Sequence, residues 1–193
     1  KSGGYDGRQE IYAEGEHCRE RMGRVWNVSA ERIAFAPSAA EGMGWLASGL
    51  DWREGDNVVT TNLEFPSVAY EWRNMRARGV EVRLVPHRDW VTEEEDLLDA
   101  VDERTRVLAV SHVSFYTGQC LDLSLLSSVS ERGVLFAVDA THSAGAMVVD
   151  ANLTDLCVSS CYKWLLATHG CAPCYLSERA EEQTAATCFG WRN

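Results

Sequence analysis

Lysine is nearly missing from this chain: of its 18 basic residues only Lys1 and Lys163 are lysines, the rest arginines. Those 18 face 29 acidic residues, for a formal net charge of -11. Such a field repels phosphate backbones, and the arginines are scattered rather than clustered, so no nucleic-acid or anionic-membrane binding is expected. Long apolar runs are lacking too. None approaches the roughly 20 residues that cross a bilayer, and the start Lys1-Ser2-Gly3-Gly4 has no apolar signal-peptide core. A soluble, cytoplasmic protein is expected, and because the first residue is not Met, the sequence is expected to begin inside a longer chain. Repeats, low-complexity tracts and dividing linkers are absent as well. The seven cysteines are odd in number and irregularly spaced, which favours reduced thiols over a disulfide framework. Cys157, Cys161, Cys171 and Cys174 could form a zinc site, but only Cys171 and Cys174 have a familiar ligand spacing, so small buried core residues are the preferred reading and no metal is expected.

What is present suits a packed domain, because 46% of 193 residues are hydrophobic. Apolar residues recur with helical period at Ile11, Cys18, Met22, Val25 and Trp26, which predicts a docking helix over 8–26. A strand follows at 33–35, and Ser38-Ala39-Ala40-Glu41 has capping-box spacing ahead of Met43, Leu46, Ala47 and Leu50, so a helix starts at Ser38. The alternation continues with strand 57–61, a helix from Pro66 to about residue 78, strand 80–85 and helix 93–101. Strands at 106–110 and 134–138 flank a helix at 123–131, and another strand is expected at 171–176. The fold class is α/β, a three-layer sandwich with a mostly parallel sheet.

In such sheets ligands bind beyond the carboxyl ends of strands. Ser111 and His112 follow one apolar run, and Asp139 and His142 follow another, which brings acid and imidazole to one crevice. Taken alone, Asp139 is better read as capping the following turn, and both histidines read as hydrogen-bonded turn residues. The lysine changes the balance. Lys163 lies within Cys161-Tyr162-Lys163-Trp164-Leu165-Leu166, where apolar surroundings would desolvate its amine and lower its pKa, as a Schiff-base lysine requires; the alternative is a stem on apolar surface with its head in water. Ser38 with the amides of Ala39 and Ala40 could receive a cofactor phosphate at a helix N-terminus, or simply cap it. Gly42-x-Gly44-x-x-Ala47 begins inside the helix, which excludes a Rossmann reading.

Four segments, in this order and spacing, carry a family resemblance: Leu63-Glu64-Phe65-Pro66-Ser67; Ser111-His112-Val113-Ser114 with Thr117-Gly118; Val138-Asp139-Ala140-Thr141-His142-Ser143-Ala144-Gly145; and Ser160-Cys161-Tyr162-Lys163-Trp164-Leu165. From about residue 36 to 176 the chain resembles the class V aminotransferases of fold-type I pyridoxal-5'-phosphate (PLP) enzymes, which include cysteine desulfurases and kynureninases. The resemblance implies a PLP-dependent transferase large domain over 1–193, lacking an N-terminal arm and a C-terminal small domain. It implies that Lys163 forms the Schiff base, Asp139 pairs with the pyridine nitrogen and His112 stacks on the ring. His142 would contact the phenolic oxygen, while Ser160, Tyr162 and the turn at Ala39 and Ala40 hold the phosphate. The final Cys188-Phe189-Gly190-Trp191-Arg192-Asn193 resembles a loop that reaches a neighbouring subunit's phosphate, which implies a homodimer.

The implied reaction is a transfer or lyase reaction on an amino acid. Desulfurases usually have Gln at His142, His at Tyr162 and hydroxyl residues at Ala39 and Ala40, which weakens that assignment, whereas Asp-x-x-His-Ser-Ala-Gly and Tyr-Lys-Trp-Leu look more like kynureninases. A kynureninase-like hydrolase or a cysteine desulfurase is the alternative within the class. A non-catalytic truncated subunit and a thiol or zinc module are the alternatives outside it.

Overall fold

Short β-branched runs separated by amphipathic stretches produce strands that are buried on both faces, and the chain places helices on either side of them. The structure, a computed structural model, describes residues 4–187; the loop expected at 188–193 lies outside the described residues. Seven strands form one sheet: β1 (Ile33–Ala36), β2 (Asn57–Thr61), β3 (Glu81–Val85), β4 (Thr105–Ser111), β5 (Leu135–Asp139), β6 (Leu156–Val158) and β7 (Ala172–Leu176), in the order β1-β7-β6-β5-β4-β2-β3. Pairings among β3, β2, β4, β5 and β6 are parallel, and β7 runs antiparallel to both β6 and β1. The carboxyl ends of β1, β2, β4, β5 and β6 therefore share one edge.

The helices are α1 (Gly4–Trp26), α2 (Ala39–Gly49), α3 (Pro66–Asn74), α4 (Glu94–Asp99), α5 (Leu123–Leu126) and α6 (Glu178–Gln183). Met43 and Leu46 of α2 and Val68 and Trp72 of α3 pack on Val58, Val107, Leu135 and Val158. Alternate strand residues Val59, Leu108, Val110 and Phe136 face the other way, against Leu97 and Leu126 of α4 and α5. Trp26 of α1 packs with Ile33, Cys157 and Tyr175. Each large side chain buried in this way contributes roughly 1.5–3 kcal/mol. This is the expected three-layer sandwich with a mostly parallel sheet.

Local chemistry explains where α2 begins and how closely it sits. Ser38 is extended (φ -156°), and its Oγ accepts from Glu41 N at 3.1 Å, as the capping-box spacing predicts. A Cβ on Gly42 would lie 2.6 Å from Cys174 Sγ and 2.9 Å from Val158 Cγ1. Gly42 is thus a packing glycine that lets α2 lie against β6 and β7. The expected helix from Pro66 to about residue 78 is regular only to Asn74 and then tightens into a 3-10 turn, Met75–Arg78. The expected helix over 123–131 is likewise one α turn followed by the 3-10 segment Ser127–Arg132. Two elements were not anticipated, β6 and α6. Asp155, just before β6, joins them: Oδ1 accepts from Ser177 Oγ at 2.7 Å and from Arg179 Nε at 3.0 Å, while Oδ2 accepts from Phe136 N at 2.8 Å.

Candidate active site

Five strand ends and the β6–β7 loop enclose a cavity of about 340 Å³ at the common carboxyl edge, lined by Ser38, Ala39, Ala40, Phe65, Ser67, Ser111, Phe115, Asp139, Thr141, His142, Ser160, Tyr162 and Lys163. That size falls in the range of small-molecule and cofactor sites.

Asp139 ends β5 and is buried. Its Oδ1 accepts from Thr141 N at 2.9 Å and its Oδ2 from Ser67 Oγ at 3.3 Å. Burial raises its pKa; the donors Thr141 and Ser67 and the nearby His142 only partly offset that effect. A buried acid pushed toward neutrality gains most from a cationic partner. His142 is half-buried, with a pKa lowered first by burial and then by Lys163, against a raising effect of Asp139. Both side chains line the cavity.

Ser38, Ala39 and Ala40 line it at the start of α2, and the Ala39 and Ala40 N–H groups belong to the first turn, where no intrahelical acceptor exists. Ser160 joins them from the loop after β6, its backbone N donating to Thr141 Oγ1 at 3.0 Å. Tyr162 stacks on His169 with ring centroids 4.0 Å apart. Lys163 reaches the cavity with its Nζ 5.7 Å from the Tyr162 ring centroid. The desolvated setting expected for this amine is not found, because Tyr162, Lys163 and Trp164 are all exposed. Gly145 fixes the other side of the same loop: at φ +94°, a Cβ there would come within 2.5 Å of Trp164 O.

His112 is a different case. Although it follows β4, it is not among the lining residues. Ser111, the last residue of β4, pairs with Asp139, and His112 follows in a bend outside the strand. His112 is buried, with Nδ1 2.9 Å from Ser143 Oγ and Nε2 3.4 Å from Cys120 Sγ, and burial lowers its pKa. The rings at the mouth are Phe65 and Phe115, edge to face with centroids 5.0 Å apart.

Sequence reasoning gave no site role to Phe65, Ser67, Phe115 and Thr141, and placed Ser111 at the crevice only as a strand-exit residue. Pro66 at the first position of α3 was the available signal for Ser67, since it sets that side chain at a helix start beside the strand edge. Glu64 was also passed over. Its Oε1 accepts from Ser111 N at 2.7 Å and its Oε2 from Ser111 Oγ at 2.6 Å. Burial, with a smaller effect of Asp139, pushes its carboxyl up to about 7. The six described cysteines are free thiols. Cys157, Cys161, Cys171 and Cys174 do not assemble as a metal site; among the described residues only the sequential Glu93, Glu94 and Glu95 bring three such ligand atoms together.

A buried acid, an amine and a helix N-terminus thus surround one cavity at the carboxyl edge of an α/β sheet. The chain belongs to the aminotransferase class-V family, whose model matches residues 1–191. A probable cysteine desulfurase of Methanothermobacter thermautotrophicus is 36% identical over 137 residues, 70% of this chain and 34% of that protein. The uncharacterised aminotransferase YcbU of Bacillus subtilis is 25% identical over 186 residues, 95% of this chain and 50% of that protein. The chain thus spans about a third to a half of the length of these relatives. A structure of the cystine C-S lyase C-DES with its product cysteine persulfide matches at a TM-score of 0.90 and 24% identity, covering 98% of this chain and 52% of that one. Apo cysteine desulfurase from Thermococcus onnurineus matches at 0.88 and 24%, covering 95% and 47%. These two likenesses establish the fold, that of the fold-type I large domain.

Proposed function

We propose that this chain is the cofactor-holding core of a PLP-dependent enzyme of class V aminotransferase or lyase type, acting on an amino acid. One observation carries the reading: Asp139, Lys163 and the N-terminus of α2 meet in a single cavity. Bound PLP supplies an electron sink for carbanionic chemistry at an amino acid's α-carbon. Buried Asp139 holds a proton on the pyridine nitrogen, since the cation relieves its unfavourable burial. The Ala39 and Ala40 amides, with the Ser160 and Tyr162 hydroxyls, hold the phosphate. His142 would contact the cofactor's phenolic oxygen. Phe65 and Phe115 at the mouth would keep water from the ring, and the resemblance has His112 stack on its face. Lys163 would hold the cofactor, and its amine would move the proton at the substrate α-carbon.

A cysteine desulfurase is the second reading, favoured by the 36% identity to a relative so named. We also propose a homodimer, supported by the cluster of exposed aromatic residues Phe65, Trp90, Phe115 and Tyr116. The irregular, odd-numbered cysteines support a reducing, cytoplasmic setting. Among the described residues no helix is long and apolar enough to cross a membrane.

The test is to load the protein with PLP and titrate in single amino acids, L-cysteine and L-kynurenine among them, while recording absorbance above 300 nm. A saturable spectral change with one amino acid, lost in Lys163→Ala, is expected. No change with any amino acid in a PLP-loaded full-length chain would overturn the enzyme reading.

A further inference from the structure

The β6–β7 connection carries Lys163 and is bracketed by two cysteines. Antiparallel register pairs Leu156 with Leu176, Cys157 with Tyr175 and Val158 with Cys174. Hydrogen bonds carry that register past the strand ends: Ser159 N donates to Pro173 O at 3.1 Å, and Cys161 N to Cys171 O at 3.1 Å. Cys161 and Cys171 are therefore direct cross-strand partners whose side chains leave the same face. Such partners have Cα atoms about 5.5 Å apart, near the middle of the roughly 4.4–6.8 Å that a disulfide spans. The two thiols are neighbours, Cys161 buried and Cys171 half-buried. Both are free, and residues 162–170 between them form an exposed turn whose second residue is Lys163.

We propose that Cys161 and Cys171 form a reversible disulfide across the base of the Lys163 loop, making the loop a redox-controlled part of the site. The entry point is Cys171, the more accessible thiol. Its thiolate attacks a low-molecular-weight disulfide such as oxidised glutathione; one thiolate leaves and a mixed disulfide forms. Cys161 then loses its proton and attacks Cys171 Sγ, expelling the second thiolate. Two cysteine thiols are oxidised, the small disulfide is reduced to two thiols, and the two protons end on the departing thiolates. Burial raises the pKa of the Cys161 thiol, so closure quickens as pH rises. Directly opposed Cβ atoms start about 4.5–5.5 Å apart and must close to about 3.8 Å. That closure draws in Cys161 between the lining residues Ser160 and Tyr162, so the oxidised loop holds the cofactor less well. This last step rests on the PLP reading above; the crosslink itself does not.

The test incubates the full chain at pH 8 with oxidised or reduced glutathione, blocks remaining thiols and nicks the loop with trypsin after Lys163. In the oxidised protein the two fragments are expected to stay joined on a non-reducing gel, to separate with reductant and to yield a Cys161–Cys171 peptide by mass spectrometry. Cys171→Ser abolishes the link, whereas Cys18→Ser, which removes an exposed thiol on α1 near Cys161, leaves it intact. Fragments that separate without reductant, or a link mapped from Cys161 to Cys18 or Cys188, would overturn the proposal. PLP binding about tenfold weaker in the oxidised form is expected, and equal binding in both forms would refute the switch. A protein that forms the link yet never binds PLP would uphold the disulfide and sink the cofactor reading.

Discussion

Replacing Glu64 with glutamine should change how stability depends on pH, because this carboxyl is held near 7 against an ordinary value of 4.5. Between those values the folded chain keeps the proton and the unfolded chain has released it. The folded state then binds more protons, so stability falls as pH rises. The contribution is fully present below about pH 4.5 and is lost as pH passes through 7. The displacement from 4.5 to about 7 corresponds to roughly 3 kcal/mol, and to about 2 once screening of a partly buried side chain is allowed for. Glutamine cannot ionise. Its Oε1 can still accept from Ser111 N, but its amide must donate to Ser111 Oγ, a rearrangement that costs about 1 kcal/mol at every pH. Urea unfolding of both proteins from pH 5 to 9 isolates the titration as the difference between the curves. Glu64→Gln should be the less stable protein at pH 5 and should equal or exceed the parent at pH 8 to 9. A pH-independent difference would refute the reasoning and place Glu64 in water.

The remaining predictions concern the cavity wall. Asp139→Ala should weaken PLP binding about 100-fold, the loss expected for a buried charge-assisted contact, with the circular dichroism of the fold unchanged; equal affinity in a binding titration would remove Asp139 from the site. Ser38→Ala removes the α2 cap and should cost about 1 kcal/mol in urea unfolding. Gly145→Ala forces a side chain into the left-handed region against Trp164 O; a loss of about 2–3 kcal/mol and faster tryptic nicking at Lys163 are expected, and unchanged nicking would show that Gly145 does not hold that loop.

Most strands were legible because burial on both faces leaves uninterrupted apolar runs, as in Val107-Leu108-Ala109-Val110 and Leu135-Phe136-Ala137-Val138. β6 escaped notice because three residues, Leu156–Val158, are too few to show a period. The antiparallel direction of β7 was equally hidden, since an apolar run reads the same in either direction. Asp139 and His142 were legible as strand-exit residues, and Ser38 as a helix cap. His112 was legible as a strand-exit residue too, but position after a strand says which edge a residue reaches, not that it lies against Ser143 and Cys120. The apolar sequence around Lys163 pointed to burial, yet these residues form an exposed loop. Chain neighbours do not decide burial where no sheet continues. Phe65 and Phe115 are 50 residues apart in sequence, and only the β2 and β4 exits bring their rings to the same mouth.

The central claim is that Lys163 is the attachment point for PLP, and borohydride reduction of the PLP-loaded full-length protein followed by peptide mapping tests it most directly. The account predicts a reduced adduct on the peptide containing Lys163 and none in Lys163→Ala. An adduct at Lys1 alone, or no adduct in a folded protein that binds PLP, would contradict it.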